Sequence, residues 1–145
     1  MIQRIQSIFL LLSGGAAFSL FGLDFASTPN TDVAAASMFA DGAFNIMDNP
    51  VMMGAFGLAG ALAIAAIFLF NNRQLQSRLS LASFIVGILG CILSVVFLMQ
   101  DPMASDNIDD GLGIYPAIAS LIFALLAMRF IKKDDNLVKS MDRLR

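Results

Sequence analysis

The sequence has no histidine, no tryptophan and no glutamate, and its single cysteine, Cys91, lies inside an apolar run. Without histidine the chain lacks the commonest general base and imidazole metal ligand. One cysteine allows no intramolecular disulfide, and a free cysteine in such a run packs as a small hydrophobe. Without tryptophan, half of the usual aromatic belt of a membrane protein is missing. Charge is scarce as well. Charged residues make up 14% of the 145 and hydrophobic residues 58%, against about 25% and about 45–50% in soluble domains. A soluble domain of this size cannot hide that much apolar surface, whereas a bilayer accepts it. No broad basic surface points to nucleic acid. No Gly-rich phosphate loop, metal-ligand cluster or nucleophile–base pair is visible, so neither a cofactor nor an enzymatic activity is expected.

What is present is four long apolar runs: Ile5–Leu23, Val51–Phe70, Leu79–Met99 and Gly111–Met128, the last followed by Arg129. A spanning helix needs about 20 residues. Runs of this length without alternation are helices rather than barrel strands. The expected fold is therefore all-α: an integral membrane four-helix bundle with up-down topology. It is one domain over 1–145, with spans near 5–23, 51–70, 79–99 and 111–130. Loops fill 24–50 and 100–113, and a tail covers 131–145. Met1–Leu23 also has the outline of a signal peptide, but its run is long for that role and reads better as a span. Asn49-Pro50 suits the start of the second helix and Asn71-Asn72 its end, with Pro116 in the first turn of the fourth.

Charge sorts the connecting segments. All nine basic residues fall on one side: Arg4, then Arg73 and Arg78 between the middle spans, then Arg129, Lys132, Lys133, Lys139, Arg143 and Arg145. Segments 24–50 and 100–113 carry Asp24, Asp32, Asp41, Asp48, Asp101, Asp106, Asp109 and Asp110 with no Lys or Arg. The positive-inside rule then predicts both termini in the cytoplasm. No span holds an ionisable residue at its middle, where a transporter or proton relay usually has one. The outer Asp residues lack the spacing of a calcium loop and read as solvated charge. Ser13, Ser19, Ser83 and Ser94 are expected to bond their own helices' carbonyls. Tyr115 reads as an interfacial anchor. Phe25, Phe39, Phe44, Ile46 and Met47 are expected to lie on the outer end of the bundle.

Lipid gives helices no hydrophobic reason to associate, so small residues must carry much of the contact. The second run offers Gly54, Gly57 and Gly60, with Ala61 and Ala65 continuing the Gly57 face. The third offers Ser83, Gly87 and Cys91 at four-residue spacing. These are the candidate packing or partner contacts: they serve either one bundle or a second membrane protein. In the tail, Leu137, Val138, Met141 and Leu144 share a helical face. Lys132, Lys133, Lys139, Arg143 and Arg145 are placed to meet anionic headgroups. The tail is either a helix on the inner leaflet or a docking helix for a partner.

Three segments carry a family resemblance: Met1-Ile2-Gln3-Arg4-Ile5-Gln6-Ser7, Asn72-Arg73-Gln74-Leu75-Gln76-Ser77-Arg78-Leu79, and the stretch from Ile131 to Arg145. The chain resembles a family of short four-span proteins from Bacteroidota known only as a domain of unknown function. The resemblance implies a bacterial inner-membrane location and supplies no activity or site residue. The layout is also similar to claudin-like tetraspan proteins, without their paired loop cysteines and loop tryptophan. The expected function is a non-enzymatic scaffold or accessory subunit of a larger membrane assembly. The alternative is a lipid- or small-molecule-handling protein with an apolar cleft under the first outer loop. Expected partners are membrane lipid and other membrane subunits or a second copy.

Overall fold

The computed structural model describes residues 5–28, 39, 41–101 and 109–142, apart from the side chains of 139, 141 and 142. Four helices dominate: α1 (Ile5–Ser19), α2 (Pro50–Phe68), α3 (Arg73–Gln100) and α4 (Ile114–Asp142). All four belong to segments long and apolar enough to cross a membrane. The chain caps them as the turn residues predict. Asn49 Oδ1 accepts from the Val51 amide at 2.8 Å with Pro50 in the first turn of α2, and Asn72 Oδ1 accepts from Leu75 at 3.1 Å. Such caps satisfy helix-end donors that lipid cannot.

Each helix packs on its sequence neighbours, and α4 closes the ring on α1. Contacts run antiparallel around that ring. On α1, Phe9 stacks on Phe130 of α4 at 5.2 Å, and one turn on, the Ser13 hydroxyl donates to the Ser120 carbonyl at 2.9 Å. Opposite them, Ser83 of α3 donates to the Ala59 carbonyl of α2 at 2.7 Å. Ser19 and Ser94 bond their own helices as expected; Ser13 and Ser83 do not. Their hydroxyls bridge helices because small neighbours bring the two backbones within reach.

Two ends of the bundle differ in charge. Arg73, Arg78, Arg129, Lys132 and Lys133 gather where α2 ends and α3 begins, here the basic end. Asp24, Asp41, Asp48, Asp101, Asp109 and Asp110 lie at the other, acidic end. The acidic end holds structure that two-residue strands do not announce in a sequence. Ala26–Ser27 (β1) pairs antiparallel with Ala43–Phe44 (β2) on one side and with Asp109–Asp110 (β3) on the other. Gly111 and Gly113 extend this join, donating to the carbonyls of Phe25 and Asp24 at 2.8 Å each. A Cβ on Gly111 would collide with the Asp24 carbonyl oxygen. The lead-in to α4 is thus stitched to the exit of α1. Beneath this cap Phe25, Phe39, Phe44 and Ile46 pack on Leu20, Met52, Phe56 and Ala117.

Candidate functional site

The small residues of α2 point two ways. Met52, Phe56, Ala59, Gly60, Ala63 and Ala66 are buried. A Cβ on Gly60 would sit 3.0 Å from the Phe18 ring of α1, so this glycine sets the α1–α2 approach. Gly57 borders Phe21 at an ordinary 3.5 Å, while Gly54 has open space around it. Ala61 and Ala65 are exposed. The face buried against α1 and α3 is therefore rotated away from the Gly57–Ala61–Ala65 face that the four-residue spacing suggests. On α3, Ser83 and Gly87 are interior, and a Cβ on Gly87 would lie 2.9 Å from Leu121 Cδ2 of α4. Cys91 is half-buried against the core under the cap. The five glycine and serine positions singled out by sequence, with Ala61 and Cys91, thus divide between two internal seams and one outward face, and no single site contains them.

The basic end is built differently from the sequence expectation. α3 starts at Arg73 rather than near Leu79, and α4 runs unbroken to Asp142. At 1.5 Å per residue, the 29-residue α4 is about 43 Å long, against a hydrocarbon core of about 30 Å. An unbroken helix carries the tail onward along the span instead of turning it flat. Arg73 Nη2 meets Asp134 Oδ2 at 3.4 Å, joining the two extensions. Behind that pair Leu10, Ala66, Ala127 and Ile131 form a second apolar core. Two glutamines are buried with it, Gln6 and Gln76. Gln76 is fully buried, and its amide nitrogen and oxygen have no hydrogen-bond partner. Sequence reading does not single out either; Gln76 is hidden because a short polar stretch between spans looks like a loop. The Asn72 cap followed by Leu75 and Leu79 at helical spacing is the signal that extends the helix.

The tail residues separate. Lys132, Lys133 and Leu137 are exposed on α4. Val138 turns to a cavity of about 940 Å³, which Ser7, Phe70, Asn71, Arg73 and Asp135 also line. Lys139 and Met141 lie on α4 with side chains outside the description, and Arg143, Leu144 and Arg145 lie outside the described residues. At the acidic end the Asp48 carboxyl is pushed above its ordinary 3.8 by partial loss of water and by Asp41 and Asp24; the Asn45 amide, donating to it at 2.6 Å, opposes this. Among the described residues no group of three or more carboxylates, cysteines or histidines could hold a metal ion.

The family described as Domain of unknown function (DUF4293) matches residues 2–144. The chain belongs to that family. No curated protein and no solved structure matches it. For this DUF4293 chain, then, the geometry at hand carries the functional argument.

Proposed function

We propose that the protein is a non-enzymatic scaffold or accessory subunit of a larger assembly in a bacterial cytoplasmic membrane, with both termini on the cytoplasmic side. One observation carries this reading. Leu20, Phe25, Phe39, Phe44, Met52 and Phe56 pack together under the outer cap, while α2 leaves Gly54, Ala61 and Ala65 facing outward with Leu58 between them. A helix face of small residues lets another helix approach closely, and lipid alone does not require one. The orientation rests on the charge split of the connecting segments.

The test is co-purification in gentle detergent with Ala61→Phe, against Ile85→Phe on the exposed face of α3. The reading expects Ala61→Phe to lose a membrane partner or a second copy and Ile85→Phe to keep it. Identical partners for both variants and wild type reject it. A second reading, lipid or small-molecule handling, draws support from the cavity at the basic end. Its walls are half apolar, from Ile67, Phe68, Phe70 and Val138, and half polar. On this reading the site would lie at the end of the bundle opposite the first outer loop.

A further inference from the structure

We propose that the outward face of α4 is a seat for one anionic phospholipid, its phosphate held by Arg129, Lys132 and Lys133. The three cations are all exposed. They are spaced three and four residues apart, which puts them on one helical face. With Asn136 and Leu137 they surround a depression of about 410 Å³. The acids of this stretch face elsewhere: Asp134 meets Arg73 of α3, and Asp135 lines the larger cavity with Ser7 and Val138. Among the described residues, no carboxylate lines the depression that these cations surround. Directly along the same face lie Ile118, Ile122 and Leu125, exposed at 52%, 50% and 40%. From Ile118 to Arg129 the helix rises about 16 Å, close to one leaflet of a hydrocarbon core about 30 Å thick. An acyl chain lying on the three apolar side chains delivers its phosphate to the three cations. A guanidinium offers a bidentate fork to phosphate, and two ammonium groups beside it add charge and donors. This seat is independent of the scaffold reading, which concerns the outward face of α2.

The experiment is native mass spectrometry of the full chain, released from detergent holding equal amounts of phosphatidylglycerol and phosphatidylethanolamine. Wild type should retain phosphatidylglycerol preferentially. Lys132→Gln with Lys133→Gln should weaken that retention about 5-fold per cation and roughly 25-fold for the pair. Arg78→Gln removes one exposed charge at the same end of the bundle, on α3 and outside the seat, and should leave retention unchanged. Glycerophosphoglycerol, which is the headgroup without chains, should fail to displace the lipid. Equal retention of the two lipids overturns the proposal. So does an equal loss per charge removed in Arg78→Gln and in the lysine pair, which would make the effect diffuse electrostatics. Displacement by the free headgroup also overturns it, because the apolar stripe would then contribute nothing. Arg78, Lys132 and Lys133 are all exposed on their helices, and a circular-dichroism match to wild type keeps folding separate from binding.

Discussion

Gln76 brings two donors and an acceptor into the bundle interior and leaves them unpaired. A buried polar group in that state costs its desolvation without return, about 1–3 kcal/mol. Gln76→Met keeps the length of the side chain and removes the polar atoms. It should raise stability by about that amount, read as a shift in the unfolding midpoint in mixed micelles. An unchanged or lowered midpoint would mean that a buried water satisfies the amide. The glycines give the opposite sign. Gly60→Leu drives a side chain into the Phe18 ring and should cost about 1–3 kcal/mol by overpacking. Gly54→Leu meets open space and should stay within about 0.5 kcal/mol. Equal effects would mean that α1 and α2 do not meet at Gly60. Sequence spacing identified which residues of α2 are small. It did not tell which of them oppose a partner, because that depends on helix rotation. Rotation is set by Phe18 on α1, by Phe21 just beyond it and by the Ser83 bond to Ala59, contacts far apart in sequence.

Hydropathy made the four helices legible, since each apolar run nearly fills the length that a bilayer demands. It was silent where polar residues continue a helix past the membrane, as in Arg73–Arg78 of α3 and Lys132–Asp142 of α4. It was silent again on β1, β2 and β3, which are too short to show a period. The cap these strands build has a pH dependence of its own. In the folded cap Asp48 keeps its proton to higher pH than in the unfolded chain, where the ordinary value is 3.8. In the window just above that value the folded state therefore binds more protons. Stability from this group falls as pH rises through the window and is regained on acidification. Asp48→Asn keeps an acceptor for the Asn45 amide and removes the titration. Wild type should gain stability relative to Asp48→Asn as pH is lowered from neutral toward 3.8, measured by amide exchange at Asn45–Asp48. A constant or falling difference would show that loss of water in the cap does not raise this carboxyl.

The whole molecule presents one charged rim of each sign, and that asymmetry predicts how it sits. Moving the basic rim across a membrane requires dehydrating Arg73, Arg78 and the cluster on α4 together, whereas the acidic rim carries only carboxylates, which influence insertion weakly. Both rims are anchored in the fold. Arg73 is paired to Asp134 across α3 and α4, and β3 with Gly111 and Gly113 ties the second acidic loop to the first. Neither loop can therefore invert alone without breaking hydrogen bonds that hold α4 to α1. The bundle should adopt a single orientation, all or none, with the basic rim cytoplasmic. In a Cys91→Ala background, cysteine placed at Met47 or Leu112, both exposed at the acidic rim, should react with an impermeant thiol reagent on intact spheroplasts. Cysteine at Gln74 or Ser140, exposed at the basic rim, should react only after permeabilisation. The two acidic-rim positions should also label to the same extent, because one cap holds both loops. The reverse pattern would overturn the charge argument. Labelling at Met47 without Leu112 would show instead that the cap does not hold the two loops on one side of the membrane.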